Sequence, residues 1–126
     1  MSVMRCLTVC APWSWALIHS TKRVENRGWA TAYRGPLLIH CGKSTKFMTE
    51  FFPTGQPVPP EARDPSGMAI GIVDVVGCVR LDDLKLNLWA HGPWCWVVAN
   101  PRPVKPFPIR GRTMIFDVPD ELIELA

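Results

Sequence analysis

Met68-Ala69-Ile70-Gly71-Ile72-Val73-Asp74-Val75-Val76-Gly77-Cys78-Val79 is the strongest strand signal in the chain. It is apolar and rich in β-branched residues, as a central, largely covered strand must be. Gly71 and Gly77 interrupt it at positions that mark bends or bulges, which a strand needs if it is to wrap toward a barrel. Asp74 is its one charge. In such a strand a carboxylate is either paired, protonated, or turned to solvent by the alternation of side chains.

The neighbouring segments fit the same sheet. Residues 36–41 form a continuous apolar run, predicted to be a strand covered on both faces. Residues 95–99 read as another strand, closed by Asn100-Pro101, and residues 113–118 as the last. Residues 6–10 alternate weakly and give the first strand; Ala11-Pro12 ends it, and Pro12 suits the first turn of a helix running to Ser20. On that helix Trp13, Ala16 and Leu17 share one face while Trp15, Ile18 and His19 share another, so it is buried or lines a cleft. Residues 43–52 carry a helical pattern that groups Phe47, Met48 and Phe51. Residues 53–67 hold five prolines and form a long irregular loop. Residues 82–86 suit a short helical turn, residues 102–112 a loop rich in proline and cations, and Pro119-Asp120-Glu121 the start of a short acidic helix. The predicted architecture is one α+β domain over residues 1–126: a small mixed or antiparallel β pseudo-barrel with a buried N-terminal helix and short peripheral helices.

At 126 residues, 48% hydrophobic and 20% charged, the chain can bury its own core. Six Trp against one Tyr is unusual; some indoles should fill the core and others form a platform. The net charge of +3 is unevenly spread. Residues 1–49 hold seven cations and one acid, 50–83 two and six, 84–116 five and none, and 117–126 none and four. Two basic blocks folded together would make a positive face for an anionic partner. Five cysteines without a CxxC pair suggest neither a disulfide framework nor a zinc ribbon; they read as buried core thiols of a cytoplasmic protein. His40-Cys41 lacks partners at ligand spacing, so neither metal nor cofactor is expected. Arg5 and the apolar residues 6–18 resemble a signal peptide, but Pro12, two Trp and the absence of a small-residue cleavage site argue against one. No apolar run reaches the length of a membrane span.

Lys22-Arg23-Val24-Glu25-Asn26-Arg27-Gly28-Trp29 and Tyr33-Arg34-Gly35-Pro36 concentrate the chemistry. Lys22 to Arg34 holds four cations, one carboxylate and two aromatic rings, and it reads as a loop between a helix and a strand. Guanidinium forks bind oxygens and flat rings stack on bases. Arg27 is the leading oxygen-binding residue. Lys22 could hold a phosphate or, if desolvated, act as a general base. Glu25 could accept from a base amino group or pair locally with Lys22 or Arg27. Trp29 and Tyr33 would stack, Trp13 and Trp15 would wall the cleft, and Arg34 would sit at its mouth, although core packing also suits Trp15 and Trp96. Arg102, Lys105, Arg110 and Arg112 would neutralise phosphates. His19, His40 and His91 show no triad partners.

These features together resemble the ASCH domain family, within the PUA-like group. The resemblance rests on Pro12-Trp13, Lys22-x-x-Glu25-Asn26-Arg27-x-Trp29, Tyr33-Arg34-Gly35-Pro36-Leu37-Leu38-Ile39-His40, Pro65-Ser66-Gly67, Gly71-x-Val73-Asp74, Asn100-Pro101 and Pro106-Phe107-Pro108-Ile109-Arg110-Gly111. It runs from about Cys6 to Val118. It implies a PUA-like pseudo-barrel with the Lys-x-x-Glu-x-Arg segment near a cleft, and roles linked to RNA or DNA. Some small members are amidohydrolases of acetylated cytidine nucleosides that use a Lys, a Thr and a strand Glu. Lys22 takes the Lys position, Glu25 stands where those enzymes have Thr, and Asp74 lies near the strand acid. The Glu-Asn-Arg version is similar to the transcription-coactivator branch.

The reading favoured is a non-enzymatic module that binds RNA, single-stranded nucleic acid or a modified nucleotide through a cationic, Trp-lined cleft. Lys22, Glu25, Arg27, Trp29, Tyr33, Arg34, Trp13 and Arg110 are its binding residues. The alternative is an amidohydrolase acting on a nucleoside such as N4-acetylcytidine, with Lys22, Glu25 and Asp74 as its catalytic set. A protein partner engaged by the proline-rich loops and exposed Trp residues is a third class.

Overall fold

The computed structural model describes residues 2–63 and 65–126. Its strands are β1 (Val3–Cys10), β2 (Val24–Arg27), β3 (Gly35–Gly42), β4 (Met68–Arg80), β5 (Trp94–Pro108) and β6 (Phe116–Pro119). One α-helix, α1 (Trp13–His19), follows β1, and single 3-10 turns lie at Pro60–Ala62, Leu81–Asp83 and Asp120–Leu122. The strands make one sheet in the order β2-β5-β4-β3-β1-β6. β1 and β3 are parallel; every other neighbouring pair is antiparallel.

The long strand β4 lies at the middle of this order, and its glycines act as its sequence predicts. The β4–β5 register shifts between Ala69 and Gly71, between Ile72 and Asp74, and between Val75 and Gly77. Each shift bends the strand and strengthens the twist. Gly71 also admits the helix: a Cβ there would stand 2.5 Å from Cδ1 of Ile18 on α1. The sheet is buried on both faces. Leu7, Leu37, Ile39, Val73, Val75 and Trp96 pack with Leu17 and Ile18 of α1, while Cys6, Leu38, Ile72, Val104 and Val118 form a second cluster. β3 alternates between the two, which explains its unbroken apolar run. A third cluster packs Ala16, Phe52 and Trp89 against Trp13 and Trp15.

The structure corrects several expectations. The sheet is not a closed barrel: β2 and β6, four residues each, are its free edges. Arg27 instead spans from β2 to β1, donating to the Thr8 carbonyl at 2.7 Å. Residues 24–27, expected in a loop, form β2, because Val24 and Glu25 pair with Val97 and Trp96 of β5. Residues 43–52 are not helical. Phe47 and Phe51 face solvent, and it is Phe52, outside the expected group, that is buried. The backbone there folds back across a turn, Phe52 N–H donating to the Gln56 carbonyl and Val58 N–H to that of Glu50. This local pairing has displaced a helix too short to be stable alone. In residues 53–67 the irregular loop is present apart from the Pro60–Ala62 turn, with residue 64 outside the described residues. The loop expected at 102–112 is strand as far as Pro108, since β5 continues along β4. Its prolines fit because β2 pairs with β5 only at residues 94–97, and beyond that the outer edge needs few N–H donors. The short helical turn expected at 82–86 is present as a 3-10 turn, Leu81–Asp83; the short helix expected after Pro119 is a single 3-10 turn, Asp120–Leu122; and the last strand starts at Phe116 rather than Thr113. Among the described residues no helix is long and apolar enough to cross a membrane, and no His, Cys, Asp and Glu group gathers as metal ligands.

Candidate nucleic-acid interface

Where the sheet stays open between β2 and β1, a cleft of about 380 Å³ remains. β1 supplies Thr8 and Cys10, the start of α1 supplies Trp13, β2 and the residues before it supply Lys22, Glu25 and Arg27, and the 89–91 loop supplies Trp89 and His91. The floor is an ion-paired trio. Lys22 is 2% exposed and Glu25 7%. Glu25 Oε1 lies 3.6 Å from Lys22 Nζ, and Oε2 lies 2.9 Å from a terminal nitrogen of Arg27. Lys22 Nζ also donates to the Val24 carbonyl. Burial pulls the Lys22 ammonium below its usual range, with Glu25 opposing that shift. Arg27 Nε is buried without a partner among the described residues.

Local sequence explains the placement. Strand alternation turns Val24 away while Glu25 and Arg27 face each other along β2. Asn26, also at the cleft wall, reaches the segment before β5, where its amide donates to the Trp89 carbonyl at 2.9 Å and its oxygen accepts from His91 N–H at 2.7 Å and Gly92 N–H at 3.0 Å. One side chain thereby pins the loop that carries Trp89. Trp89 meets Trp13 edge-on, with centroids 6.3 Å apart at 87°, and both contact Phe52. These contacts hold the aromatic wall rigid.

Of the residues proposed from sequence, Lys22, Glu25, Arg27 and Trp13 come together in this cleft. Trp29 lies beside it, with its ring 5.7 Å from the Arg27 guanidinium and edge-on to Trp96. Trp96 is wholly buried and donates its indole N–H to the Trp29 carbonyl at 3.0 Å. Trp15 stacks on Phe52, away from the cleft floor. Tyr33 is half-buried and donates its hydroxyl to the Pro36 carbonyl, and Arg34 binds the carbonyls of Thr31 and Tyr33. Neither lines the cleft. Asp74 is also elsewhere, held by Asn100 and by Arg102, each at 3.1 Å. These partners keep its carboxyl below the usual range. Arg110 lines a separate cavity. Trp89, Thr8 and Asn26 were not assigned roles from sequence. A Trp followed closely by His91-Gly92-Pro93, in a segment otherwise suited to a turn, was the available signal for Trp89.

The human protein "Activating signal cointegrator 1" is 30% identical over 131 aligned residues, which cover 93% of this chain and 22% of that protein. Its mouse counterpart is 29% identical over the same shares. The chain thus spans about a fifth of the length of these curated relatives. The family model for the ASCH domain matches residues 7–108, which includes the cleft floor and the whole of β4. This chain belongs to the ASCH domain family.

Proposed function

We propose that the cleft binds one base of RNA or single-stranded nucleic acid, or a modified nucleoside, within a PUA-like fold. The observation that carries this reading is the ion-paired trio of buried Lys22 and Glu25 with part-exposed Arg27 beneath the Trp13 and Trp89 walls. A volume of about 380 Å³ is at the small end of ligand pockets, which span roughly 300–1,000 Å³, and suits a base with its sugar. Both Glu25 oxygens already face cations. The ligand therefore meets cations rather than a free carboxylate, Lys22 and the part-exposed Arg27 guanidinium, and is expected to present carbonyl or phosphate oxygens. Trp29 offers a second stacking face at the rim. Tyr33 and Arg34 are engaged within their own turn and are not required. Membership of the ASCH family supports a role at nucleic acid, and the unpaired cysteines support a cytoplasmic setting.

Fluorescence anisotropy of a short single-stranded RNA tests the reading. Affinity should fall with added salt, by about tenfold for Arg27→Ala and less for Arg27→Lys, which keeps the charge but loses the fork. Binding that ignores both salt and Arg27 would overturn it. Co-purification of a defined protein with no nucleic acid would favour the adaptor class instead.

The lowered affinity of Lys22 for its proton favours a second reading, an amidohydrolase. In it Lys22, in its deprotonated form, takes a proton from water as that water attacks the acetyl carbonyl, and returns the proton to the cytidine amine as the acyl C–N bond breaks and acetate leaves. Asp74, outside the cleft, has no part in it. Incubation with N4-acetylcytidine gives the test: release of acetate no faster than in Lys22→Ala removes this reading.

A further inference from the structure

A second cavity, of about 810 Å³, shares Thr8 with the cleft and is lined by His40, Lys43, Ser66, Gly67 and Arg110 among others. Thr8 joins the two physically. Its carbonyl accepts from Arg27 at 2.7 Å, and its hydroxyl lies 3.0 Å from His40 Nδ1. His40 is 2% exposed, and its Nε2 is buried with no partner among the described residues. If the Thr8 hydroxyl donates to Nδ1, the proton sits on Nε2 and leaves a buried donor unpaired, an expensive state for a packed protein. Lys43 and Arg110 are exposed and pair with no carboxylate among the described residues.

The walls are built rather than incidental. Gly67, at φ +81°, lies under the Lys43 stem, donates its N–H to Cys41 and accepts from Ile109 N–H. Gly111 lies so close that a Cβ would stand 2.9 Å from His40 Cε1 and 3.0 Å from Thr8 Oγ1. Only glycine lets the backbone approach the imidazole this closely.

We infer that this second cavity is a phosphate site, which takes the phosphate of the nucleotide whose base fills the cleft. Lys43 and Arg110 supply the charge, and the Ser66 hydroxyl and His40 Nε2–H supply hydrogen bonds. The His40 contact requires the cavity wall to give slightly, because Nε2 is covered. The nucleotide part of this assignment rests on the cleft reading; the anion site does not.

The test combines two measurements. Inorganic phosphate is titrated into isotopically labelled protein while backbone amides are followed by NMR, with chloride at matched ionic strength as the control. The Gly67 and Gly111 amides should move with phosphate, and the response should vanish in the double variant Lys43→Ala/Arg110→Ala. In calorimetry, N4-acetylcytidine 5′-monophosphate should bind about tenfold tighter than N4-acetylcytidine. The double variant should lose that gain and keep the nucleoside affinity. Equal affinity for nucleoside and nucleotide, with no amide response at Gly67 or Gly111, would overturn the site and leave the cleft reading standing. Phosphate shifts confined to Lys22 and Arg27, or matched by chloride, would also overturn it. Phosphate shifts at Gly67 and Gly111 with neither nucleoside nor nucleotide bound would uphold the anion site and overturn its assignment to this nucleotide.

Discussion

Glu25→Gln isolates the electrostatics of the cleft floor. The wild-type floor sets two cations around one carboxylate, with Glu25 7% exposed and Lys22 2%. The substitution keeps the shape and leaves Lys22 and Arg27 facing each other without the anion between them. Removing one partner of a buried pair costs about 3–5 kcal/mol. The lower end applies here, about 3 kcal/mol, because the Arg27 side chain is 19% exposed. Lys22 can also escape the penalty by losing its proton. Its folded-state pKa is already depressed from 10.5, chiefly by burial, and Glu25 is what holds it up. In Glu25→Gln it should fall further. Between that lowered value and 10.5 the unfolded chain binds more protons than the folded one, so stability rises with pH across the window. The deficit of Glu25→Gln relative to wild type should therefore shrink as pH rises from neutrality toward about 9. Urea unfolding, followed by tryptophan fluorescence at both pH values, measures it. Adding Lys22→Met to Glu25→Gln should restore at least half of the loss, whereas Lys22→Met alone should cost less than about 1.5 kcal/mol. If Glu25→Gln unfolds within about 0.5 kcal/mol of wild type at neutral pH, or the double variant is no better than the single, the floor is not an electrostatic unit.

Other perturbations probe the scaffold around it. Gly71→Ala should cost about 1–3 kcal/mol by driving a methyl into Ile18. Ile18→Ala in the same chain should recover part of that loss in a thermal melt, which a purely backbone effect of the glycine would not allow. Asn26→Ala removes the three bonds that tie down the Trp89 loop. It should cost about 2 kcal/mol and speed hydrogen exchange at the His91 and Gly92 amides, and unchanged exchange there would show that the loop is held by packing alone. Asp74→Asn tests the Arg102 pair. With both side chains partly exposed, the loss should stay under about 1 kcal/mol. The folded-state pKa of Asp74 is depressed below 3.8, so its contribution is present above that value and lost as pH falls through the lower one. The gap between variant and wild type should close in acid, and a gap that persists there would assign the effect to packing.

The sheet was legible in the sequence because its signals are local and redundant. The run around Val73 is long, β-branched and glycine-marked, and the run around Leu38 is apolar on both faces apart from His40, because both faces of β3 are covered. Pro12 placed the start of α1 within a residue. The errors fall where partners distant in sequence decide the outcome. Phe47, Met48 and Phe51 have helical spacing, but it is the neighbouring Phe52 that is drawn fully inside, by Trp13 and Trp89. The prolines from residue 102 onward read as a loop because nothing local reveals that β2 leaves the outer edge of this strand beyond residue 97, or that the last residues of the sequence return to pair with it around Val104. For the site, that residues 25 and 27 share one face of a strand was hidden until β5 paired with them, whereas a local pairing of Glu25 with Lys22 or Arg27 was open to sequence reasoning from their closeness in the chain. Trp89 was not, since only the fold brings residue 89 beside residue 13.

The open barrel and the cleft have a common origin. The bulges at Gly71 and Gly77 bend β4 and increase its twist, which carries β2 around toward β1. Main-chain closure at that point would require β2 to pair with β1, filling the space where Lys22 and Glu25 now lie. Arg27 supplies the connection instead: one guanidinium bonds the Thr8 carbonyl of the opposite strand and the Glu25 carboxylate of its own. A side chain spans the gap where backbone would seal it, so the same contact that holds the edges together leaves a concavity between them. Replacing Arg27 therefore loosens both the sheet edge and the cleft. Its binding defect has to be judged against Arg27→Lys, which retains the charge but cannot make both contacts through a planar fork.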